Sequence, residues 1–545
     1  MPNPLLDIKN LRVTFTDENN HVEALKGVSY QVNKGEVVCL VGESGSGKSV
    51  SAMAAMGLLP DNTDVQADKI SFDGHDLLTI DPEGFRKLRG SQMSMIFQEP
   101  MTSLNPVFKV GHQVEEVLEI HTKLNAKERK ARVLELFRTV ELDSPERRYH
   151  AYPNQLSGGQ RQRVMIAMAL ATETKLLIAD EPTTALDVTV QGKILDLLRD
   201  LIKRFDMAVL FITHDFGVVE TLGDRVLVME KGHVVEEGAV KTVMKKPQHA
   251  YTKKLLAAMP RFNPKDATTD DTQPLLEVNH LEKHFHVRKG GLFSKAEAFR
   301  AVDDVSFKLY KGETLGVVGE SGCGKSTLAR CLIGLYSPDR GNVVFNGQDV
   351  ASLKGRGLKK MRRNMQMVFQ DPFSSLNPRM RIGESVGEGL RAHGLMDARE
   401  REVFVRQLLE DCGLPANSYD RFPHQFSGGQ RQRICIARAL SLKPDLIIAD
   451  EAVSALDVSV QKQILNLLAD LKDKYNLSYL FISHDLRVVS ELCDRVLVMQ
   501  HGKVVEQGRT ADVFGHPGHK YTQHLLASIP GVASSAPNTL HPQGK

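Results

Sequence analysis

The eight residues GESGSGKS at positions 42–49 decide the fold, and they recur as GESGCGKS at positions 319–326. Each copy follows an apolar strand-like run and precedes a helical pattern, the context in which G-x-x-x-x-G-K-[ST] marks a phosphate-binding turn. Glycines let the backbone curl so that N–H groups surround a polyphosphate at a helix N-terminus. The lysine adds positive charge and the serine offers a hydroxyl to Mg²⁺. An ordinary glycine-rich turn is the alternative, and a second match in the same context argues against it.

The two glycine-rich loops belong to an internal duplication. SGGQRQR occurs at 157–163 and at 427–433, and DRVLVM begins at Asp224 and at Asp494, both with an offset of 270 residues. The glycine-rich loops are offset by 277 residues, so seven extra residues lie between Phe285 and Gly319. We predict that they lengthen a hairpin loop in RKGGLFSKAEAF. A repeat of this length predicts two homologous domains.

The predicted domains cover residues 1–262 and 275–535, joined by a linker at 263–274 and followed by a loose tail at 536–545. The linker and the tail contain the Pro, Thr, Asp and Ser typical of such segments. Within each half, apolar β-rich runs alternate with helical patterns, which predicts an α/β fold around a buried, mainly parallel sheet. Apolar residues spaced at three and four in 106–156 predict a helical subdomain.

Composition leaves several functional classes open and excludes others. The 545 residues carry 70 Lys and Arg against 67 Asp and Glu, a net charge of +3, which does not indicate a nucleic-acid-binding protein. The six cysteines are scattered, with neither a disulfide framework nor a zinc pattern. No apolar run reaches the ~18 residues needed to span a bilayer, so we expect any membrane role to be peripheral.

Adjacent carboxylates end a buried run in each half. Asp180 and Glu181 follow LLIA, and Asp450 and Glu451 follow LIIA. Because successive side chains of a strand point to opposite faces, one carboxylate can reach a metal ion while the next orients or deprotonates a water. Helix capping is an equally good interpretation of such a pair taken alone.

Three further segments keep the same order in both halves. SGGQ at 157–160 and 427–430 begins a helix, where N–H donors and the positive end of the helix dipole face an anion. The accompanying residues are Gln98 and Gln370, Asp187 and Asp457 in ALDV, and His214 and His484 in THD and SHD. A histidine after a strand is usually structural, whereas this ordered set indicates a phosphate site.

The complete ordered set resembles the nucleotide-binding domain of ATP-binding cassette (ABC) proteins, and the resemblance covers nearly the whole chain twice. It implies two tandem P-loop NTPase domains, each with a RecA-like core, an antiparallel β subdomain and a helical subdomain. In this family two domains pair head to tail, and each ATP lies between one domain's phosphate loop and the other domain's SGGQ. The resemblance therefore implies ATP and Mg²⁺ as ligands and ATP hydrolysis as the activity.

The resemblance assigns a role to each matching residue. One ATP site would join Gly42, Glu43, Ser44, Gly45, Ser46, Gly47, Lys48, Ser49 and Val50 with Ser427, Gly428, Gly429 and Gln430. The other would join Gly319, Glu320, Ser321, Gly322, Cys323, Gly324, Lys325, Ser326 and Thr327 with Ser157, Gly158, Gly159 and Gln160. Metal ligands would be Ser49, Gln98, Asp180, Ser326, Gln370 and Asp450. Glu181 and Glu451 would polarise water, Gln98 and Gln370 would sense the metal, and His214 and His484 would contact the γ-phosphate. Phe15 and Phe285 best match the aromatic residue that stacks on adenine.

Two departures from the family pattern accompany these assignments. Val50 stands where many members have a second hydroxyl residue, and Ala452 replaces the proline that Pro182 supplies in the first half. Both cast doubt on equal turnover at the two sites.

The segments QEPMTSLNP and QDPFSSLNP, with the endings HAYTKKLLAAMP and HKYTQHLLASIP, resemble the ATPases of dipeptide and oligopeptide importers. The chain is similar to the fused single-chain ATPases of peptide, glutathione and microcin C importers. This resemblance implies two transmembrane permease subunits as partners, an extracytoplasmic solute-binding protein as an indirect partner, and a peripheral position on the cytoplasmic face of the inner membrane. The alternative is a soluble tandem cassette protein that acts on the ribosome or nucleic acid. The short linker disfavours it, and we expect no nucleic-acid partner.

Overall fold

The computed structural model describes residues 4–17, 20–98, 103–183, 186–260, 262, 264, 273–288, 296–454 and 456–529. The described residues form two halves that repeat one architecture, and the predicted α/β fold is confirmed. Most of the predicted linker, the centre of the predicted hairpin loop and the predicted tail lie outside the described residues. The predicted domain boundaries therefore stay predictions.

The first half contains eleven described strands. They are β1 (Leu6–Asp17), β2 (Asn20–Val32), β3 (Val37–Val41), β4 (Thr63–Gln66), β5 (Lys69–Phe72), β6 (His75–Asp76), β7 (Met93–Ile96), β8 (Leu176–Asp180), β9 (Ala208–Thr213), β10 (Arg225–Glu230) and β11 (His233–Ala239). Its described helices are α1 (Lys48–Ala55), α2 (Pro82–Leu88), α3 (Val110–His121), α4 (Ala126–Thr139), α5 (Pro145–Tyr149), α6 (Gly158–Ala169), α7 (Val188–Phe205), α8 (Phe216–Leu222), α9 (Val240–Lys245) and α10 (Ala250–Ala258).

The second half repeats most of this order, and no counterpart of β4 is found among its described strands. Its described strands are β12 (Pro274–Arg288), β13 (Ala296–Tyr310), β14 (Thr314–Val318), β15 (Arg340–Phe345), β16 (Gln348–Asp349), β17 (Met365–Val368), β18 (Leu446–Asp450), β19 (Ser478–Ile482), β20 (Arg495–Gln500) and β21 (Lys503–Arg509). Its described helices are α11 (Lys325–Leu332), α12 (Arg356–Asn364), α13 (Pro372–Ser375), α14 (Ile382–His393), α15 (Ala398–Asp411), α16 (Gly428–Leu440), α17 (Val458–Tyr475), α18 (Leu486–Leu492), α19 (Thr510–Gly515) and α20 (Lys520–Ala527).

A mainly parallel sheet forms the centre of each half. Its strand order is β11-β10-β3-β9-β8-β7 in the first half and β21-β20-β14-β19-β18-β17 in the second. Among the described strands of these two sheets, the β10–β11 and β20–β21 pairs alone are antiparallel. Strands β3, β8 and β9 are buried along their whole length, as continuous apolar runs predict for a sheet covered on both faces. Their carboxyl ends lie side by side, and open α/β sheets bind ligands at that edge.

Two further layers cover the parallel sheet. An antiparallel sheet, ordered β2-β1-β5-β6 and β13-β12-β15-β16, packs on one face. Helices α3 to α5 form the predicted helical subdomain in the first half, and α14 and α15 form its counterpart. One apolar core, containing Phe137 and Phe211, lies on the helical side, and another, containing Phe72 and Leu40, lies under the antiparallel sheet.

Among the described residues, no helix is both long and apolar enough to cross a bilayer.

We predict that Gly383→Ala destabilises the helical subdomain. A Cβ atom at Gly383 would lie 2.3 Å from the Tyr419 ring, and overpacking of this kind costs about 1–3 kcal/mol. The control is Gly515→Ala, where nothing lies within 4 Å of the added Cβ atom. Calorimetry should show a lower melting temperature for the first variant only. Equal melting temperatures for the two variants would contradict this packing.

Candidate functional site

The first glycine loop (residues 42–49) connects β3 to α1, and the second glycine loop (residues 319–326) connects β14 to α11. Each loop approaches the neighbouring strand so closely that only glycine fits its first position. A Cβ atom on Gly42 would lie 2.3 Å from the Met229 carbonyl oxygen, and one on Gly319 would lie 2.2 Å from that of Met499. The sequence pattern thus reflects a steric limit that both halves share.

The lysine of each loop folds back onto its own backbone. Lys48 Nζ donates to the carbonyl oxygens of Gly42 at 2.8 Å and Glu43 at 2.9 Å. Lys325 Nζ does the same to Gly319 at 2.7 Å and Glu320 at 2.9 Å. Burial lowers the pKa of Lys48, and the nearby carboxylates of Glu181, Asp457 and Asp180 partly offset that effect. A buried cation held by carbonyl groups is well placed for a phosphate ligand.

The predicted metal ligands meet in both halves. Ser49 Oγ donates to Asp180 Oδ1 at 3.0 Å, and Ser326 Oγ donates to Asp450 Oδ1 at 3.1 Å. Burial, reinforced by the charge of Glu181, raises the pKa of Asp180 to about 6. Hydroxyl and carboxylate oxygens are the ligands that Mg²⁺ prefers. These residues therefore fit a magnesium ion.

The glutamate of each acidic pair has an unusual backbone conformation. Strands β8 and β18 end at the aspartates, and Glu181 and Glu451 follow with φ angles of 45° and 48°. A left-handed conformation outside glycine costs about 1–3 kcal/mol and is concentrated at functional sites. The two carboxylates have different partners, Ser49 for Asp180 and Gln98 for Glu181, and the glutamate lies in the turn after the strand rather than in the strand itself.

A glutamine and a histidine hold each glutamate. Gln98 Nε2 donates to Glu181 Oε2 at 3.0 Å, and His214 Nδ1 lies 3.3 Å from the same oxygen. In the second half, Gln370 Nε2 donates to Glu451 Oε2 at 2.7 Å, with His484 Nδ1 at 3.6 Å. The structure thus brings together three predicted residues that span 116 positions in the first half and 114 in the second.

Charge around the histidines favours the protonated imidazole. Burial lowers the pKa of His214, but its interaction with Glu181 and the charges of Asp215 and Asp457 outweigh burial and raise it. At His484, the interactions with Glu451 and Asp485 likewise outweigh burial and raise the pKa. The pKa of Glu451 is correspondingly lowered, because His484 outweighs the burial of the carboxyl group.

The halves meet at the first glycine loop through the ALDV segment of the second half. Asp457 Oδ1 accepts from the backbone N–H of Ser44 at 3.0 Å, and the Ser459 hydroxyl donates to the Glu43 carboxylate. Sequence reasoning placed Asp457 near the site but did not single out Ser459. The first glycine loop is therefore held by residues from both halves.

The equivalent contact at the second glycine loop is different. Asp187 and Thr189 line a small cavity with Gly319, Glu320 and His484, so the same segments lie close together. However, Asp187 accepts from the N–H of Val190 and caps its own helix, and the buried Thr189 hydroxyl has no hydrogen-bond partner among the described residues. The two sites differ in how tightly the opposing half engages the glycine loop.

The SGGQ segments cap their own helices. Ser157 accepts from the Gln160 N–H at 3.3 Å, and Ser427 accepts from the Gln430 N–H at 3.4 Å. Across the described parts of both halves, no hydrogen bond or ion pair joins an SGGQ segment to the opposing glycine loop. The predicted pairing across ATP therefore stays a prediction.

The two adenine-stacking candidates lie on the antiparallel sheets. Phe15 on β1 is partly buried against the core, and Phe285 on β12 contacts Tyr336 edge-on at 5.6 Å between ring centroids. Their predicted role stays a prediction.

An arginine that sequence reasoning missed joins the halves between the two histidines. Arg487 Nε lies 3.3 Å from Asp485 Oδ1, and its NH2 nitrogen lies 3.3 Å from Asp215 Oδ2 of the first half. Burial raises the pKa of Asp215, but the charge of Arg487 outweighs it and holds that pKa below its usual value. Gly217 occupies the equivalent position of the first half. A comparison of the two HD segments, which differ in this residue, is the sequence signal that could have found it.

Two family models match the chain, each of them twice. The model described as "ABC transporter" matches residues 25–184 and 302–454. The model described as "Oligopeptide/dipeptide transporter, C-terminal region" matches residues 235–288 and 505–544.

Curated relatives match over nearly the full length. The chain is 49% identical over 528 residues to the peptidoglycan transport ATP-binding protein YejF of Agrobacterium fabrum, and 96% of each chain is covered. It is 44% identical over 558 residues to the glutathione import ATP-binding protein GsiA of Pectobacterium atrosepticum, covering 96% of this chain and 89% of the relative.

Solved structures match one half at a time. The structure of cbiO1 from Clostridium perfringens, part of the ABC transporter complex cbiONQ, has a TM-score of 0.39 at 26% identity, covering 45% of this chain and 91% of that one. A dimeric post-hydrolysis structure of the cassette MJ0796 with ADP and Pi has a TM-score of 0.39 at 28% identity, covering 43% and 98%.

We predict a pH-dependent contribution of the two histidines to stability. Their folded-state pKa values lie above 6.5, so the stabilisation is present below that pH and is lost as the pH rises through the folded pKa. The melting temperature of the nucleotide-free protein, compared with that of H214Q/H484Q, should show a parental advantage that is largest below about pH 6.5 and shrinks as the pH rises above it. An advantage that grows with pH would contradict the assigned charge state.

We also predict that Arg487→Met destabilises the protein by about 3 kcal/mol, because it leaves two largely buried carboxylates without their cation. Adding Asp215→Asn should recover part of the loss. The fall in melting temperature of R487M/D215N should therefore be smaller than the sum of the falls in the two single variants. Arg406→Met is the matched control, since Arg406 also bridges two carboxylates but at the surface. Equal losses of stability in R487M and R406M would contradict a buried ion pair between the halves.

Proposed function

The chain belongs to the ABC transporter family, and from this premise we propose how its two ATP sites work and which transport step they drive. The chain is the ATP-hydrolysing subunit of a peptide importer, as its full-length relatives and its two matches to the oligopeptide/dipeptide transporter C-terminal region indicate. The observation that carries the residue-level proposal is the glutamate held by glutamine and histidine at both sheet edges.

We propose that Glu181 and Glu451 polarise the attacking water. Phosphoryl transfer needs a nucleophile aligned with the γ-phosphate and little further covalent chemistry from the protein. Gln98 and His214 both contact Oε2 of Glu181, which restrains the carboxylate and would orient a water bound to it. The protonated imidazole that the local charge favours can also donate to a γ-phosphate oxygen.

The phosphates and the metal have separate protein ligands in this proposal. Lys48 and the N–H groups at the start of α1 bind the phosphates, and Ser49 and Asp180 hold Mg²⁺, with Lys325, Ser326 and Asp450 equivalent in the second half. When bound, Mg²⁺ neutralises charge on the phosphate oxygens. The raised pKa of Asp180 reflects a buried carboxylate for which a cation is a better partner than a serine hydroxyl alone.

We propose two separate transmembrane subunits as partners and the cytoplasmic face of the inner membrane as the location. A groove of about 910 Å³ in the second half lies beside Gln370, and its lining includes Phe369, Leu335 and Arg362. Phe369 and Leu335 expose 37% and 51% of their surface. An open groove of mixed polar and apolar lining, with two exposed apolar side chains next to the glutamine that holds Glu451, suits a cytoplasmic loop of a permease, because movement there reaches the ATP site directly.

The transported solute is proposed at the level of its class. The printed names of the relatives mention peptidoglycan transport and glutathione import. We propose a peptide or peptide-like solute, delivered to the permeases by an extracytoplasmic binding protein. The ribosome or nucleic acid alternative is disfavoured by these relatives.

Capture from gently solubilised membranes tests the proposed assembly. A tagged chain should recover two multi-span proteins at near-equal stoichiometry, with ATPase activity in the same fraction. Recovery with ribosomal components in the soluble fraction would overturn the proposal.

We predict that the double variant E181Q/E451Q retains ATP binding. Its rate of ATP hydrolysis should fall by about a hundredfold or more, the scale of general acid–base catalysis. Glu135→Gln is the control, because Glu135 is an exposed residue of the helical subdomain. Steady-state phosphate release and equilibrium nucleotide binding measure the two effects. Near-normal hydrolysis in E181Q/E451Q would refute the role of the glutamates.

A further inference from the structure

The repeated endings AYTKKLL and KYTQHLL bring a tyrosine hydroxyl to each glycine loop. Tyr251 is the second residue of α10, and its hydroxyl oxygen accepts from the backbone N–H of Glu43 at 3.1 Å. Tyr521 is the second residue of α20, and its hydroxyl oxygen accepts from the backbone N–H of Glu320, also at 3.1 Å. The two halves thus make the same contact at the same distance.

This hydrogen bond is the second side-chain contact to a single peptide unit of the loop. The carbonyl oxygen of Gly42 and the N–H of Glu43 belong to one peptide bond, which Lys48 holds at the oxygen and Tyr251 holds at the nitrogen. Lys325 and Tyr521 hold the equivalent peptide of the second half. When the lysine turns toward a phosphate, the tyrosine remains as the side-chain anchor of that peptide.

The tyrosines are themselves anchored by the sheet. Glu236 on β11 accepts from the N–H groups of Gln248 at 2.7 Å and His249 at 3.0 Å, and His249 Nδ1 accepts from the Tyr251 N–H. Glu506 on β21 and His519 make the same contacts before Tyr521. Two successive hydrogen bonds therefore set the start of each helix, and with it the position of the hydroxyl group.

Each tyrosine also lies where the other half approaches. Leu255 of α10 lines a small cavity with Gly42, Glu43, His214 and the opposing Asp457. Leu525 of α20 lines its counterpart with Gly319, Glu320, His484 and the opposing Asp187. Burial raises the pKa of Tyr251 to about 12, so the hydroxyl stays protonated at any physiological pH.

We propose that Tyr251 and Tyr521 are positioning residues for ATP, each setting the geometry of the glycine loop in its own half. The proposal rests on the proposed function, since it assigns ATP to those loops. Packing alone would need the aromatic ring but not the hydroxyl group. The hydroxyl group matters because it satisfies an N–H group in the loop that would otherwise lose its partner. Tyrosine to phenylalanine separates the two roles.

The experiment measures ATP affinity at each site separately. The full chain carrying E181Q/E451Q is titrated with 8-azido-ATP and Mg²⁺, photolysed, and digested, and labelled peptides from the two sites are quantified by mass spectrometry. Lys48→Ala and Lys325→Ala assign each peptide to its site. Y251F should raise the concentration for half-maximal labelling of the first site by about two- to tenfold, the scale of one hydrogen bond, and leave the second site unchanged. Y521F should do the reverse.

Tyr479→Phe is the matched control, because Tyr479 is buried and its hydroxyl donates to the Leu468 carbonyl oxygen far from both glycine loops. It should leave labelling of both sites unchanged. An equal shift at both sites, or none, in Y251F and Y521F would overturn the proposal. Failure of the parental E181Q/E451Q protein to label at all would instead overturn the proposed function.

Discussion

Burial of a lysine at the start of a helix is the constraint on which both sites depend. Lys48 and Lys325 are each only 5% exposed, and a buried ammonium group requires acceptors on every side. Carbonyl oxygens of the loop supply the nearest ones, which forces the backbone to curl around the side chain. Carboxylates at the ends of the neighbouring strands supply the rest of the compensating charge. The parallel strand order places those ends beside the loop.

Much of this arrangement could be predicted from the sequence, for an identifiable physical reason. Residues such as Gln98, Glu181 and His214 each follow a buried strand, and the carboxyl ends of parallel strands gather at one edge. Contacts between the halves were harder to predict. Ser459 and Arg487 act through single side chains at positions that differ between the copies, so a search for shared motifs passes over them, and only the difference between the copies points to them. Roles that require ATP between the halves depend on a ligand and were predicted through family resemblance.

The duplicated architecture also distinguishes what the fold requires from what each half can vary. Both copies keep the steric limit at the first glycine, the left-handed glutamate and the tyrosine contact. These features concern the glycine loop or the edge of the sheet, where a change would expose a buried polar group or create a clash. The halves differ in the ALDV segment, where Asp187 caps its own helix while Asp457 accepts a hydrogen bond from the glycine loop of the opposite half. The glycine loop and the glutamate thus have the same surroundings in both halves, while the contacts of each loop with the opposite half differ.

The arginine between the histidines has a consequence for how such a protein can be assembled. One guanidinium group serves a pair of carboxylates because the other half has glycine at the matching position. Two copies of the second half would carry two cations for two carboxylates, whereas two copies of the first half would leave both carboxylates without a cation, so the cation at this contact comes from the second half alone. Joining both halves in one polypeptide supplies that arginine once for every pair of carboxylates.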